Sequence, residues 1–178
     1  MQGERTRLSI GCVESPIGEL RIAATEQGLL KIAFPGGARS DFHAWLARHV
    51  PRAERSSDEA WLEDVRAQLG AYFDGRLREF KLSLDLRGTE FQVEVWRRLA
   101  TIPFGETRTY GELARALGRP GAGRAVGAAS GANPLPLVLP CHRVVAARGR
   151  LGGFGGGLEA KRHLLGFEQR AVPLLTPG

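Results

Sequence analysis

The sequence predicts an α+β protein whose first half mixes strands with helices and whose second half is mainly helical. Three observations support this fold class. Short runs near the start alternate apolar and polar side chains between Gly- and Pro-containing turns, as strands of an antiparallel sheet do. Longer runs further along repeat apolar residues at helical spacing. The second half also contains a short helix, a tight turn and a second helix, the helix-turn-helix pattern.

Three strands are predicted first, at residues 7–13, 19–23 and 29–34. The turns between them are expected at residues 15–18, where Ser-Pro and Gly occur, and at residues 26–28. Because the connections are short, neighbouring strands should pair antiparallel and form a small meander.

Two helices and a further strand should complete the first half. Residues 42–49 place apolar side chains at helical spacing. Ser56 and Glu59 have the spacing of a capping box, which predicts that a second helix begins there, and Gly75 should end it. Residues 80–86 alternate apolar and polar side chains, which predicts a half-buried strand.

The boundary between two domains is expected at Arg87-Gly88, which divides the chain into residues 1–87 and residues 88–178. Immediately after the boundary, Thr89 and Gln92 form a second candidate capping box. The helix that they begin should stop before Pro103, which cannot continue it.

The helix-turn-helix pattern follows. Thr109 and Glu112 should cap its first helix, and residues 121–132 contain the second, in which Val126 is the only large apolar residue. Small residues allow the backbone to approach another surface closely. That surface is either a neighbouring helix or a nucleic-acid groove, and the surrounding basic residues favour the groove, with Arg124 projecting from the start of the helix.

The end of the chain is predicted to contain a strand at residues 143–146, a turn at residues 148–149 and a glycine-rich loop at residues 151–157. A helix should then run from Leu158 to Glu168. The glycine-rich loop is not a dinucleotide-binding fingerprint, because no strand–helix–strand unit surrounds it.

Charge is distributed unevenly along the chain. Residues 1–87 contain 13 basic and 13 acidic side chains, whereas residues 88–178 contain 12 basic and 6 acidic ones and so account for the whole net charge of +6. Such a one-sided distribution is typical of a polyanion-binding surface. The alternative is a compositional preference for arginine, but that would not explain why the first half is neutral.

Other features exclude several classes of protein. No apolar run is long enough to cross a bilayer and the start lacks a signal-peptide core, so we expect a cytoplasmic protein with no membrane partner. Cys12 and Cys141 are far apart in the sequence, which argues against a disulfide framework or a zinc knuckle. The four histidines are scattered, and no metal is predicted.

The candidate chemistry lies in Pro140-Cys141-His142-Arg143-Val144. A thiol is a good nucleophile only as a thiolate, and an adjacent imidazole is a common means of forming one. For an isolated Cys-His pair the alternative is that Cys141 is a small buried apolar residue and His142 a loop histidine. Here further motifs accompany the pair in a fixed order.

The ordered motifs are Thr89-Glu90-Phe91-Gln92, Val95-Trp96, Ile102-Pro103-Phe104-Gly105-Glu106-Thr107, Tyr110-Gly111-Glu112-Leu113-Ala114, Arg124-Ala125-Val126-Gly127, Asn133-Pro134, Pro140-Cys141-His142-Arg143-Val144, Gly156-Gly157-Leu158 and Lys161, with Ser15-Pro16-Ile17-Gly18 and Ala71-Tyr72-Phe73 in the first half. Together they resemble the O6-alkylguanine-DNA alkyltransferases, also called methylated-DNA–protein-cysteine methyltransferases. The resemblance implies an N-terminal RNase H-like α/β domain followed by a winged-helix-like DNA-binding and catalytic domain.

The resemblance also implies the function. The protein would bind double-stranded DNA that contains an alkylated base and rotate that base out of the stack. It would then transfer the alkyl group from O6 of guanine, or O4 of thymine, irreversibly to Cys141. Each molecule would react once, with no cofactor and no obligate protein partner. The preference among methyl and larger groups stays open.

Five catalytic residues follow from the resemblance. Cys141 is the acceptor thiolate, His142 is the base that activates it through a water molecule, and Glu168 orients His142. Asn133 braces the turn that carries the cysteine. The hydroxyl of Tyr110 helps to rotate the nucleotide and compensates the charge that develops on the guanine.

Arg124 corresponds to the finger that enters the base stack in place of the extruded base. The DNA-binding set implied by the resemblance is Arg124, Ala125, Gly127, Ser130, Gly131 and Arg143, and the substrate pocket is Tyr110, Val144, Gly155 and Gly156. Some members carry a serine where Gly155 stands, and some carry a tyrosine where Phe154 stands. These departures bear on the substrate range.

Two other functions compete with alkyl transfer. A Cys-His hydrolase would need an oxyanion hole and would leave the basic helix-turn-helix unexplained. A protein that binds lesions without repairing them would resemble the alkyltransferase-like proteins, which replace the cysteine; the presence of Cys141 argues against it.

Overall fold

The computed structural model describes residues 6–36, 42–57 and 59–172. The chain divides into two compact units, Met1–Gly88 and Thr89–Gly178. The two units are described in turn.

A four-stranded sheet forms the centre of the first unit. Its strands are β1 (Arg7–Val13), β2 (Leu20–Thr25), β3 (Gly28–Ala33) and β4 (Glu54–Arg55), in the spatial order β3-β2-β1-β4. The first three strands pair antiparallel, which confirms the predicted meander, and β4 pairs parallel to β1. The short strand β4 was not predicted, because two exposed residues carry no hydrophobic pattern.

Two helices cover opposite faces of this sheet. Helix α1 (Phe42–His49) packs with Leu8 and Leu30 in one buried cluster. Helix α2 (Ala60–Phe73) contacts β1, β2 and β3. A Cβ at Gly11, three residues beyond Leu8 on β1, would lie 3.0 Å from Cδ1 of Leu62 in α2, so Gly11 faces α2 and has little room for a side chain.

The predicted capping box at Ser56 and Glu59 does not form. Glu59 is itself the N-cap of α2, without a side-chain cap hydrogen bond. The backbone N–H of Ser56 donates to Leu8 O at 2.9 Å, which extends the pairing between β1 and β4. Glu59 instead pairs with Arg66 at 2.8 Å. Sheet pairing therefore displaces the local capping interaction at this helix start.

The predicted strand at residues 80–86 is reduced to one bridge between Leu29 and Leu84. The side chains alternate between partly buried and exposed at residues 80–84, as the pattern predicts, but the backbone has other partners. The side-chain amide of Gln68 in α2 donates to Lys81 O at 2.9 Å and accepts from Lys81 N at 2.8 Å. A backbone satisfied by a side chain has no need of a neighbouring strand.

The described part of the second unit, residues 89–172, contains four α-helices and a two-stranded parallel sheet. The helices are α3 (Glu90–Leu99), α4 (Tyr110–Ala116), α5 (Gly123–Gly131) and α6 (Leu158–Ala171). The sheet pairs β5 (Arg108–Thr109) with β6 (Val144–Val145), so the predicted strand at residues 143–146 is shorter than expected. A 3₁₀ turn, Cys141–Arg143, immediately precedes β6.

Both predicted capping boxes of this unit are confirmed. Thr89 accepts from Gln92 N at 3.2 Å and Thr109 accepts from Glu112 N at 3.2 Å, with the reciprocal hydrogen bonds also present. The helix-turn-helix prediction is confirmed by α4 and α5. Trp96 of α3 donates from Nε1 to Ala129 O of α5 at 2.8 Å, which anchors the second helix of the pair.

Within residues 6–36, 42–57 and 59–172, no helix combines the length and the apolar character needed to cross a bilayer.

Candidate active site

The segment that delivers Cys141 is held by Asn133. The Asn133 side chain donates from Nδ2 to Leu139 O at 2.7 Å and accepts from Leu135 N at 2.9 Å, and the residue is 8% exposed. Leu137, between these partners, has a φ of 76°, which is unfavourable for a branched side chain. Burial of three leucines in this segment offsets that cost.

The 3₁₀ turn Cys141–Arg143 separates its three side chains by about a third of a turn each. Cys141 is partly buried, whereas His142 is fully buried and Arg143 is 5% exposed. A continuous strand would have pointed Cys141 and Arg143 to the same face. The turn therefore separates the cysteine from the two basic side chains that follow it.

His142 is paired with Glu168 of α6 at 2.8 Å between Nε2 and Oε1, and Glu168 is 1% exposed. Burial alone would raise the pKa of Glu168, but hydrogen bonds from His142 and Arg143 outweigh it and lower the pKa to about 2. The carboxylate is therefore ionised at neutral pH and accepts a hydrogen bond from the N–H at Nε2. Nδ1 of His142 is buried, and no described residue forms a hydrogen bond with it.

Arg143 occupies the same carboxylate. Its Nη2 lies 2.9 Å from Glu168 Oε1 and its Nε lies 2.9 Å from Oε2, while Nη1 donates to Ile102 O at 2.7 Å. Its burial and these three contacts argue against the prediction that Arg143 contacts DNA. A guanidinium that is buried and already bonded on three nitrogens cannot reach a phosphate outside the fold.

Lys161 is a residue whose role sequence reasoning missed. It lies on α6, is fully buried and donates from Nζ to Val144 O at 2.6 Å. Together with Leu164 and Glu168 it occupies the buried face of the helix. Two charged residues in an otherwise apolar stripe are the signal that could have identified it, because buried charges need partners.

The protonation states of the site follow from these surroundings. Burial raises the pKa of the Cys141 thiol, and the Asn133 side chain, the Lys161 charge and the backbone N–H groups of Cys141 and His142 offset only part of the rise. Burial lowers the pKa of His142, which Glu168 opposes and which Arg143 and Lys161 reinforce. At neutral pH the resting pair is therefore an uncharged thiol and an uncharged imidazole.

Tyr110, the first residue of α4, lies near the same cysteine. Burial raises the pKa of its phenol and the proximity of Cys141 raises it further. The hydroxyl therefore keeps its proton at neutral pH and can donate a hydrogen bond. Two glycines border the ring. A Cβ at Gly152 would lie 3.0 Å from Tyr110 Oη, and one at Gly127 would lie 3.8 Å from the ring.

The remaining pocket residues surround this region unevenly. Val144, predicted to line the substrate pocket, is fully buried, and its carbonyl already accepts from Lys161. A carbonyl oxygen has two lone pairs and can accept a second donor. Gly156 is partly buried, whereas Gly155 is exposed in the loop before α6.

Helix α5 presents one exposed stripe, headed by Arg124 and continued by Ala125, Ala128 and Gly131. The opposite face is buried around Val126 and packs on α3 and α4, with Gly127 partly buried against Tyr110. The buried face confirms that small residues allow close packing on neighbouring helices, and the groove interpretation stays a prediction for the exposed stripe. Ser130 is 5% exposed and belongs to the buried face, which argues against the prediction that it contacts DNA.

Among the described residues, no three histidine, cysteine or acidic side chains converge in a way that could hold a metal ion. The chemistry available at the site is that of a thiol, a histidine–carboxylate pair and a phenol. Fold and site together define a class of protein: one that joins a helix-turn-helix to a cysteine set beside a buried base.

Two family models match this chain. The 6-O-methylguanine DNA methyltransferase ribonuclease-like domain matches residues 8–86, and the 6-O-methylguanine DNA methyltransferase DNA binding domain matches residues 90–170. The chain belongs to the 6-O-methylguanine DNA methyltransferase family. This confirms both the resemblance and the predicted fold class, an RNase H-like unit followed by a DNA-binding unit.

Individual relatives agree with the family models. A methylated-DNA–protein-cysteine methyltransferase of Mycolicibacterium paratuberculosis is 48% identical over 167 residues, covering 90% of this chain and 92% of the relative. One from Methanosarcina acetivorans is 44% identical over 155 residues, covering 87% and 94%. The crystal structure of Mycobacterium tuberculosis OGT in complex with DNA superposes with a TM-score of 0.78 at 41% identity, covering 94% of this chain and 96% of that one.

Proposed function

We propose that this protein repairs alkylated DNA by transferring the alkyl group from O6 of guanine to Sγ of Cys141. The observation that carries the proposal is the buried pair of His142 and Glu168 next to Cys141, on a unit that also presents the exposed stripe of α5. The sulfur–carbon bond forms as the carbon–O6 bond breaks. The electron pair remains on the guanine, whose anion takes up a proton from solvent, while the proton that left the thiol is released to solvent, so that both the base and His142 end uncharged.

The proton of the thiol passes to Nδ1 of His142 through a water molecule. Glu168 already holds the proton on Nε2, so Nδ1 has its lone pair available, and the carboxylate stabilises the imidazolium that forms. The thiolate is formed only for the reaction, since the resting thiol is uncharged. This limits side reactions of a nucleophile that can be used once.

Tyr110 stabilises the leaving guanine. Its phenol retains its proton near Cys141 and can donate a hydrogen bond to the base as negative charge develops. Val144, Gly155 and Gly156 would form the pocket around that base. The product is a thioether, which has no leaving group for hydrolysis, so each molecule reacts once.

The exposed stripe of α5 enters a groove of duplex DNA in this proposal. Arg124 is exposed, and within the described part of the chain its guanidinium has no hydrogen bond or ion pair. It is therefore free to fill the gap that an extruded nucleotide leaves, which offsets an unstacking cost of a few kcal/mol. Ala125, Ala128 and Gly131, the small residues of this stripe, permit close approach of the backbone to the groove.

The two predicted domains divide the work in this proposal. Residues 88–178 contain every residue assigned a chemical or DNA-binding role, and residues 1–87 support them.

We infer a cytoplasmic location from the DNA substrate.

Intact-mass measurement tests the function. After incubation with duplex DNA that contains O6-methylguanine, the protein should gain the mass of one methyl group in place of one hydrogen, located on Cys141. Cys12→Ser is the matched control, because it removes the other, exposed cysteine and should react fully. Cys141→Ala should bind the duplex without gaining mass. A methyl group on Cys12, or on the Cys141→Ala variant, would overturn the assignment.

A further inference from the structure

Arg143 is buried, and its contacts with Glu168 and Ile102 place its guanidinium beside the catalytic pair. Its guanidinium contacts both oxygens of Glu168, with Nε at 2.9 Å from Oε2 and Nη2 at 2.9 Å from Oε1. The remaining terminal nitrogen donates to Ile102 O at 2.7 Å. A bidentate contact of this kind fixes both the position and the plane of a carboxylate.

Glu168 shares its oxygens among several donors. Oε1 receives His142 Nε2 at 2.8 Å as well as Arg143 Nη2, and Oε2 receives Gly105 N at 3.1 Å as well as Arg143 Nε. The carboxylate cannot rotate towards His142 without breaking contacts to the other two. Arg143 and Gly105 therefore fix the orientation of the carboxylate independently of His142.

The charge of Arg143 acts on His142 as well. If Glu168 had no other cationic partner, its buried carboxylate would favour the doubly protonated form of the His142 imidazole. Nδ1 would then carry a proton and could not accept the proton of the thiol. The positive charge of Arg143, which lies in the same turn as His142, offsets that attraction. The other groups that face His142 are Glu168 and Lys161 from α6 and Cys141 beside it in the turn.

We propose that Arg143 is a positioning residue for the alkyl transfer. It clamps Glu168 so that the proton of His142 stays on Nε2, and its charge keeps Nδ1 free to accept the proton of Cys141. The role in transfer rests on the proposed function, whereas the effects on His142 and on thiol ionisation do not. Lysine carries the same charge but cannot form the two-pronged contact.

Two variants separate orientation from charge. Arg143→Lys keeps the charge and loses the fork, and Arg143→Met loses both. Both are made in the Cys12→Ser background so that Cys141 is the only thiol. Arg76→Lys and Arg76→Met serve as matched controls, because Arg76 is 70% exposed and pairs with Asp74 on the surface of the other unit.

The first readout is the ¹⁵N NMR spectrum of His142, assigned with a His142→Asn variant. The parent should show the Nε2–H tautomer and should titrate below an ordinary imidazole. In Arg143→Lys the tautomer should become mixed, and in Arg143→Met the titration should move to higher pH. A parent His142 that is protonated on Nδ1, or that titrates at or above an ordinary imidazole, would overturn the proposal even if neither variant folds.

The second readout is the pH dependence of methyl transfer and of Cys141 alkylation by iodoacetamide. Arg143→Lys should transfer the methyl group about tenfold to a hundredfold more slowly, because the two-pronged contact is lost. The acid limb of its pH–rate profile should not move, because the charge is kept. The acid limb of Arg143→Met should move to higher pH. If both variants lose transfer rate only in proportion to their folded fraction and keep the parental pH profiles, Arg143 has only a structural role. If the parent reacts with iodoacetamide but transfers no methyl group, the proposed function fails and the role of Arg143 in thiol ionisation still stands.

Discussion

Glu168 is the residue on which both basic side chains of the Cys141–Arg143 turn converge, and its ionisation is linked to the stability of the fold. Its pKa is about 2 in the folded protein against an ordinary value of 4.5. A lowered folded-state pKa stabilises the protein above the unfolded-state value, and that stability is lost as pH falls from about 4.5 towards about 2. The shift corresponds to on the order of 3 kcal/mol.

Urea unfolding at a series of acidic pH values should reveal this loss. The comparison is a double variant, Glu168→Gln with Arg143→Met, which removes the buried ion pair as a unit and avoids leaving one charge unpaired. Its free energy of unfolding should decrease less steeply between pH 4.5 and 2 than that of the parent. Equal slopes would mean that the pair does not control acid stability.

Gly152 should determine where the Tyr110 hydroxyl lies. A Cβ at this position would lie 3.0 Å from Oη, closer than side chains ordinarily approach, so Gly152→Ala should displace the phenol by a few tenths of an ångström. We expect the transfer rate to fall by a few-fold with little change in stability. Gly153→Ala is the matched control, because a Cβ there meets nothing within 4 Å. Similar rates in both variants would contradict this account of Tyr110.

At the scale of elements, two helix starts have the same capping box but different consequences. Thr89→Ala and Thr109→Ala should each cost about 1 kcal/mol in the free energy of unfolding, since each removes the hydrogen bond to the third helical N–H. Only Thr109 is followed by Tyr110 as the first helical residue. Thr109→Ala should therefore also slow methyl transfer, measured in a single turnover, whereas Thr89→Ala should not. Equal effects on the rate would show that helix α4 does not position the phenol.

Elements were predictable where their signals are local. The capping boxes of α3 and α4 formed because Thr89, Gln92, Thr109 and Glu112 satisfy one another within a single turn. The same motif at Ser56 failed because a strand far away in sequence bonds to that backbone instead. Periodicity likewise predicted which side chains are partly buried at residues 80–84. It could not predict that the side chain of Gln68 would form hydrogen bonds with the backbone of Lys81.

At the scale of the molecule, the basic half of the chain should make DNA binding sensitive to salt. Seven arginines between residues 97 and 150 are exposed: Arg97, Arg98, Arg115, Arg119, Arg124, Arg148 and Arg150. If at least three contact phosphate, the logarithm of the affinity should fall with the logarithm of salt concentration at a slope of about −3 or steeper. Fluorescence anisotropy with an undamaged duplex measures the slope. Arg98→Ala should reduce it and Arg76→Ala should not, whereas a flat dependence would make the charge asymmetry incidental.

The sequence by itself determined the three-stranded meander, the helices, the helix-turn-helix, the surplus of positive charge and the motif around Cys141. These features are carried by spacing, composition or a run of neighbouring residues. It also identified Glu168 as the partner of His142, through the resemblance to a family rather than through any local pattern.

Only the tertiary structure decided the environment of each charged side chain. Arg124 and Arg143 are the same residue type in the same basic half, yet one is exposed on a helix and the other is buried against Ile102 and Glu168, 41 and 25 residues away. Lys161 became a buried partner of Val144 in the same way. Burial depends on which distant segments pack together, and the preferences of neighbouring residues contain no record of that packing.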